Sequence, residues 1–140
     1  MQVFDSIPLI DETLAGWSGE IGRDLAGYRN HVYRMVNFTY AMGEFDDDAR
    51  KKIAFAGCFH DIGIWPTRTL DYLDPSAERA EIFLAENGLE DWRMQVREMI
   101  CQHHKLRSHR TDPLVEAFRK GDLVDFSLGL FKFGLPRSFV

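Results

Sequence analysis

A histidine and an aspartate stand side by side at the end of an apolar segment of the chain. His60 and Asp61 follow residues 55–59, whose composition favours packing, although both side chains ordinarily require water or a polar partner. Side chains of adjacent residues diverge on a helix, so this pair can share an ion only where a helix ends, and Gly63 supplies such an end. Imidazole nitrogen and carboxylate oxygen together suit a divalent ion such as Mn, Fe, Co, Ni, Zn or, less strongly, Mg.

A metal ion needs more than two protein ligands, and His31 and Asp122 are the candidates for the others. Each is a polar residue in a segment whose neighbours, such as Val32 and Leu123, are apolar. Taken singly, a mid-helix histidine is more often a hydrogen-bonded core residue, and a lone helical aspartate is most often exposed. The prediction therefore rests on the whole set and on its order along the chain.

Helices are expected to carry these residues, because apolar side chains recur at three- and four-residue steps and capping residues mark the starts. No segment shows a comparable period-two alternation, so the predicted fold class is all-α. The predicted helices cover residues 6–15, 20–42, 46–62, 74–87, 92–104 and 111–126. His31 then lies in the middle of a helix, and the His-Asp pair lies at the end of the next one.

The order of these residues resembles the HD-domain superfamily of metal-dependent phosphohydrolases, which is named after its His-Asp pair. The resemblance is carried by residues 28–31 (YRNH), 55–63 (FAGCFHDIG) and 119–125 (RKGDLVD). It implies a compact multi-helix bundle of HD-domain type around an ion. It also implies that Asp122 is a ligand, whereas Asp125 is better suited to orient a ligand histidine. The implied metal ligands are His31, His60, Asp61 and Asp122.

Subclasses of this superfamily that hold two or three metals add histidines after the pair. In this chain some of these histidines are absent and others are present. No histidine occurs where those subclasses have one at the start of the next helix, which reads Asp74-Pro75 in this chain. His103 and His104 are present further on, and either could bind a second metal bridged by Asp61 or bind substrate. The alternative is a pair of surface histidines favoured by the dipole at a helix C-terminus. We expect one metal ion.

The resemblance further implies hydrolysis of a small phosphate ester, such as a nucleotide or a similar phosphomonoester or diester, through metal-activated water. Asp61 is predicted to be catalytic, as a ligand and as a proton acceptor. Arg34 follows His31 by three residues, on nearly the same helix face, and is predicted to steady a substrate phosphate. Weaker candidates for site roles are Lys105, Arg107, Arg119 and, as an extra acid or base, Glu78.

Two other functions remain open at the level of the sequence. HD-like folds also host metal-dependent hydratases and oxygenases, so the resemblance predicts a site more firmly than a reaction. The third hypothesis is a non-catalytic sensing module stabilised by the metal. It is motivated by the phenylalanine-rich residues 126–139, since exposed apolar surface often marks an interface, and the same segment favours a homodimer.

Length and composition limit the classes of protein that fit. A chain of 140 residues is about one domain long, so one HD-like domain is predicted over residues 1–140. Residues 130–140 are rich in apolar side chains and resemble the opening of an element that the sequence does not complete. The net charge of -5 argues against long nucleic acid as a partner. Without a signal peptide or an apolar run of roughly 18 residues, no membrane is expected. With only Cys58 and Cys101 as cysteines, the predicted location is the cytoplasm.

Overall fold

The computed structural model describes residues 2–63, 73–103, 105 and 112–140 of the chain. Within these ranges the regular structure is helical and contains no strand, which confirms the all-α, compact multi-helix prediction. None of the helices there combines the length and the apolar character that a bilayer crossing requires. The α-helices are α1 (Pro8–Ala15), α2 (Ser18–Ile21), α3 (Leu25–Tyr40), α4 (Asp47–Phe59), α5 (Leu73–Glu86), α6 (Arg93–Gln102) and α7 (Pro113–Phe126).

Aspartate side chains cap two of the helices that lead to the candidate site, α4 and α7. Asp46 accepts a hydrogen bond from the backbone N–H of Ala49 at 2.8 Å, and Asp112 accepts one from that of Leu114 at 2.9 Å. Each cap satisfies a backbone donor that has no partner inside the helix. Pro113 occupies the first turn of α7, where its missing N–H costs nothing. The starts of α4 and α7 therefore lie where the sequence predicts them.

Two predicted helix starts differ from the structure. The predicted helix over residues 20–42 is interrupted at Gly22, whose φ of 63° lies in a region that only glycine adopts easily, so α3 begins at Leu25. The first helix begins at Pro8 without a side-chain cap from Ser6. Apolar periodicity continues across a short break and does not reveal it.

The close approach of α3 and α7 fixes the part of the bundle that matters for the site. A Cβ atom added to Gly121 of α7 would lie 2.0 Å from Thr39 Oγ1 and 2.8 Å from the carbonyl oxygen of Met35, both on α3. Only a residue without a side chain allows this separation. Helix α4 runs through the middle of the core, where Ile53 and Phe59 are fully buried. Three helices distant in sequence are thus held side by side.

The chain after α7 divides into a packed part and an exposed part. Leu135 is buried against Phe38 of α3 and Val124 of α7. Leu128 and Leu130, by contrast, expose 95% and 77% of their surface. The apolar ending identified in the sequence therefore covers one side of the bundle and leaves several large side chains in solvent.

Candidate metal centre

Three helices supply the four predicted ligands. His31 lies in the middle of α3, Asp122 lies in α7, and His60 and Asp61 occupy the turn that follows α4. Helix α4 ends at Phe59 with His60 as its C-cap, and Asp61 follows in the turn, where its Oδ2 lies 3.2 Å from His60 Nε2. The break predicted near Gly63 is present, one turn earlier than expected.

The Nε2 atoms of His31 and His60 lie close to each other and to one carboxylate oxygen each of Asp61 and Asp122. His31 Nε2 and His60 Nε2 are 2.9 Å apart, and Asp122 Oδ1 lies 3.4 Å and 3.3 Å from them, respectively. Asp61 Oδ2 lies 3.2 Å from His60 Nε2 and 3.6 Å from His31 Nε2. Ligands that sit about 2.0–2.2 Å from one ion are separated from each other by roughly 2.8–3.6 Å in octahedral or tetrahedral geometry. The observed separations match the edges of such a coordination shell.

The outer nitrogen of each site histidine is occupied by an acceptor. His60 Nδ1 donates to the carbonyl oxygen of Gly57 at 2.5 Å, and His31 Nδ1 bonds Asp125 Oδ2 at 2.5 Å. A neutral imidazole that donates from Nδ1 carries a lone pair on Nε2. The Nε2 atoms of His31 and His60 face each other at 2.9 Å. Once these nitrogens are deprotonated, both would direct a lone pair toward a cation between the rings, and this fits a metal.

Burial and charge act in opposite directions on the titration of the cluster. Burial lowers the pKa of His31, but the carboxylates of Asp122, Asp125 and Asp61 outweigh it and raise this pKa to about 11. Burial also lowers the pKa of His60, but the carboxylates of Asp61 and Asp122 outweigh it and raise this pKa to about 9. Burial raises the pKa of Asp61 and Asp122, and the histidines hold both below their usual range. The metal-free cluster consequently keeps protons on its histidines and negative charge on its carboxylates.

Asp61 divides its two oxygens between two groups of ligands. Oδ2 faces His31 and His60, whereas Oδ1 is buried, has no hydrogen-bond partner among the described residues, and lies 3.4 Å from His103 Nε2. His103 is 4% exposed, and its Nδ1 donates to the carbonyl oxygen of Ile100, so its Nε2 is directed at Asp61. The interpretation of His103 as a surface residue is therefore wrong. His104 lies outside the described residues.

The predicted phosphate-binding arginine is engaged in an ion pair. Arg34 Nε and Nη2 donate to the two oxygens of Asp125 at 2.5 Å and 3.1 Å, and Asp125 Oδ2 also bonds His31 Nδ1. Arg34 thus reaches the cluster through Asp125. A contact between Arg34 and a substrate phosphate stays a prediction.

The weaker candidates are placed differently from one another. Arg119 is buried and donates to both carboxylate oxygens of Glu116 and to the carbonyl oxygen of Lys105, so its guanidinium has structural partners. Lys105 and Glu78 are exposed. Arg107 lies outside the described residues.

Sequence analysis gave Tyr28 no role of its own at the site, although the structure places it in contact with the His-Asp pair. Its buried hydroxyl donates to the carbonyl oxygen of Cys58 at 2.7 Å and lies 3.3 Å from the backbone N–H of Asp61, which donates to it. Its ring stacks on that of His60, with centroids 6.0 Å apart. Tyr28 therefore holds the turn that carries the His-Asp pair. Its position one helical turn before His31 was the available signal.

The fold and the site define an all-α protein with a buried histidine–carboxylate cluster suited to a divalent metal ion. The model of the HD domain family matches residues 28–125, which is well over half of the chain, and the chain belongs to this family. This match confirms the resemblance found in the sequence. Comparison with curated proteins and with solved structures found no match. The family consists generally of metal-dependent phosphohydrolases, so the chain falls within a metal-dependent hydrolase superfamily.

Proposed function

We propose that this protein hydrolyses a small phosphate ester, either a nucleotide or a similar phosphomonoester or diester, with the help of a divalent metal ion. The observation that carries the proposal is the convergence of His31 Nε2, His60 Nε2 and carboxylate oxygens of Asp61 and Asp122 at coordination distances. Membership of a family of generally metal-dependent phosphohydrolases supports the same reaction class.

The residues around the cluster have distinct roles in this proposal. His31, His60 and Asp122 hold the ion, and Asp61 Oδ2 completes the set. A bound divalent ion would lower the pKa of a coordinated water toward about 7 and polarise a phosphoryl oxygen. Asp61 Oδ1, which lacks a hydrogen-bond partner among the described residues, is placed to take the proton from that water, and His103 Nε2 lies 3.4 Å beyond it.

The exposure of the ligands indicates the side from which a substrate approaches. His60 is fully buried, whereas the side chains of His31 and Asp61 are each about one-fifth exposed. A phosphate would therefore approach the cluster past His31 and Asp61, because His60 is covered by protein. This limited exposure of the ligands supports a small ester rather than a long polymer as the substrate.

The proposal is tested with purified protein loaded in turn with Mn, Fe, Co, Ni, Zn and Mg and assayed against p-nitrophenyl phosphate, bis-p-nitrophenyl phosphate and nucleotides. We expect metal-dependent turnover that Asp61→Asn reduces by about 100- to 10,000-fold, as for loss of a ligand that also accepts a proton. Asp48→Asn is the matched control, because Asp48 is an exposed carboxylate at the opposite end of α4. Turnover that is independent of metal contradicts the proposal. Absent turnover also contradicts it and leaves a non-catalytic metal-stabilised module.

A second candidate function, an oxygenase or hydratase with two metals, is favoured by the group formed by His60, Asp61 and His103. Asp61 would then contribute to holding both ions, because its Oδ2 faces His31 and His60 and its Oδ1 faces His103. The sequence Asp74-Pro75 lacks the histidine that a full second site would add. Two equivalents of iron in the wild type, one in His103→Ala, and oxygen consumption or nitrile hydration would support this candidate. One equivalent in both proteins would exclude it.

A further inference from the structure

We propose that Arg34 is a positioning residue of the metal centre, which acts by holding Asp125 so that Asp125 fixes the ring of His31. This inference rests on the proposed metal site and extends it to a residue that is not a ligand. Its physical basis is a chain of contacts from a half-exposed guanidinium to a coordinating nitrogen.

The carboxylate of Asp125 is held from two sides. Arg34 Nε donates to Oδ1 at 2.5 Å, and Arg34 Nη2 donates to Oδ2 at 3.1 Å, so the planar guanidinium binds both oxygens in a bidentate ion pair. Oδ2 also bonds His31 Nδ1 at 2.5 Å. The carboxylate cannot rotate without losing at least one of these bonds. The direction in which His31 Nε2 points is thereby coupled to the position of Arg34.

Burial explains why Asp125 requires this support. The side chain of Asp125 is 10% exposed, whereas that of Arg34 is 54% exposed. A largely buried carboxylate is costly unless it is paired and hydrogen-bonded. Arg34 pairs with it from the solvent side, and His31 bonds it from the inside. Partners that orient a ligating histidine commonly change metal affinity by about 10- to 100-fold when they are removed.

The geometry of the Arg34 guanidinium allows an experiment to distinguish a positioning role from that of a simple positive charge. Arginine presents parallel N–H groups that match the two oxygens of a carboxylate, whereas lysine carries a compact charge without that fork. If Arg34 orients Asp125, then lysine restores the charge and only part of the effect. If Arg34 serves only to attract a substrate phosphate, neither Arg34→Gln nor Arg34→Lys should change the affinity for the metal.

Helix α3 carries its own control for the experiment. Arg29 lies five residues before Arg34 on the same helix, and its Nε bonds Asp11 Oδ1 at 2.8 Å, with both side chains 42% exposed. Asp11 belongs to α1, and no bond of the pair to a cluster residue is found among the described residues. Arg29→Gln thus removes a similar arginine–aspartate pair from the same helix without touching the proposed chain of contacts.

The test measures Co²⁺ affinity and the visible spectrum of the Co²⁺-loaded protein, with thermal unfolding of the metal-free proteins to establish that each is folded. We expect Arg34→Gln to weaken Co²⁺ binding by about 10- to 100-fold and to change the ligand-field bands. Arg34→Lys should recover part of the loss, and Arg29→Gln should match the wild type. Asp125→Asn should weaken binding as well, and adding Arg34→Gln to it should cost little more, because both act through one contact.

The experiment distinguishes a failure of the positioning role of Arg34 from a failure of the proposed metal site. Wild-type Co²⁺ affinity and spectrum in Arg34→Gln overturn the positioning role and leave the metal site standing. A loss in Arg34→Gln that simply adds to that of Asp125→Asn also overturns it, because the two residues then act separately. A reduced kcat/KM with unchanged metal affinity assigns Arg34 to the substrate instead. A wild-type protein that binds no divalent metal overturns both this inference and the proposed function.

Discussion

At the scale of single residues, His31 illustrates how one ring serves two purposes. Its Nε2 faces His60 and Asp122, while its Nδ1 bonds Asp125. The second contact selects the tautomer that leaves Nε2 available for a metal. His60 reaches the same state by a different route, through the carbonyl oxygen of Gly57. A side-chain carboxylate thus orients His31, and a backbone carbonyl orients His60.

Metal binding is expected to expel protons from the cluster. In the metal-free protein the carboxylates outweigh burial and raise the pKa of His31 to about 11 and that of His60 to about 9, so both rings keep protons near neutral pH. Ligation requires the deprotonated Nε2, so protons and metal compete and apparent affinity falls as pH falls. Titration calorimetry at about pH 7.5, in buffers of different ionisation enthalpy, should show that one proton or more is released for each metal ion bound. Equal affinity at acid and alkaline pH, with no buffer dependence, would contradict this.

At the scale of elements, the contact between α3 and α7 brings Asp122 to His31. The neighbour of Asp122 in sequence, Gly121, lies against Thr39 and Met35 with no space for a side chain. A glycine that lowers helix propensity is retained here by the geometry of packing. The position of one ligand therefore depends on a residue that does no chemistry.

Gly121→Ala is expected to destabilise the protein by about 1–3 kcal/mol, as is typical of overpacking. The added Cβ would meet backbone atoms of Met35 and Thr39 at 2.8 Å and 2.9 Å, and these cannot move as a side-chain tip can. Gly27→Ala is the matched control, because Gly27 lies on the exposed side of α3 with nothing within 4 Å of the new Cβ. It should stabilise the protein by up to about 1 kcal/mol. Urea denaturation measures both, and a Gly121→Ala protein as stable as the wild type would disprove the packing argument.

At the scale of the whole molecule, an ion in this site would connect parts of the chain that are far apart. The ligands come from α3, from the turn after α4 and from α7. A metal ion would bind the folded arrangement, because the unfolded chain offers no comparable site. Its binding free energy would therefore add to the stability of the bundle.

Metal is consequently expected to raise the melting temperature. A free metal concentration of 100 times Kd adds about 2.7 kcal/mol, which corresponds to roughly 5–11 °C for a chain of this size. A chelator should reverse the shift, and Asp122→Asn should remove most of it. Asp48→Asn, which changes an exposed carboxylate remote from the cluster, should retain it. Identical melting curves with and without metal would show that the cluster holds no ion under these conditions.

The exposed apolar side chains after α7 bear on the predicted homodimer. Phe126, Leu128 and Leu130 each expose more than three-quarters of their surface. Large exposed apolar groups that lie close together in sequence are typical of interfaces. The homodimer stays a prediction, and light scattering on the whole chain tests it, with Leu128→Ser expected to shift the equilibrium toward the monomer. A strict monomer at all accessible concentrations would remove this support.

The sequence by itself determined the local features. The His60-Asp61 pair at a helix end, the Asp46 and Asp112 caps and the all-α class depend on neighbours within a few residues, and such information is contained in composition and spacing. The ordered series from His31 to Asp122 was sufficient to identify the HD domain family.

Only the tertiary structure decided how distant side chains meet. The ion pair that joins Arg34 to Asp125, the burial of His103 beside Asp61 and the role of Tyr28 all depend on how each helix is rotated against its neighbours. Periodicity indicates that a helix has an inward face, but it does not say which residue of another helix that face meets. That pairing is set by close packing between elements separated by dozens of residues, because only the assembled core brings their side chains together.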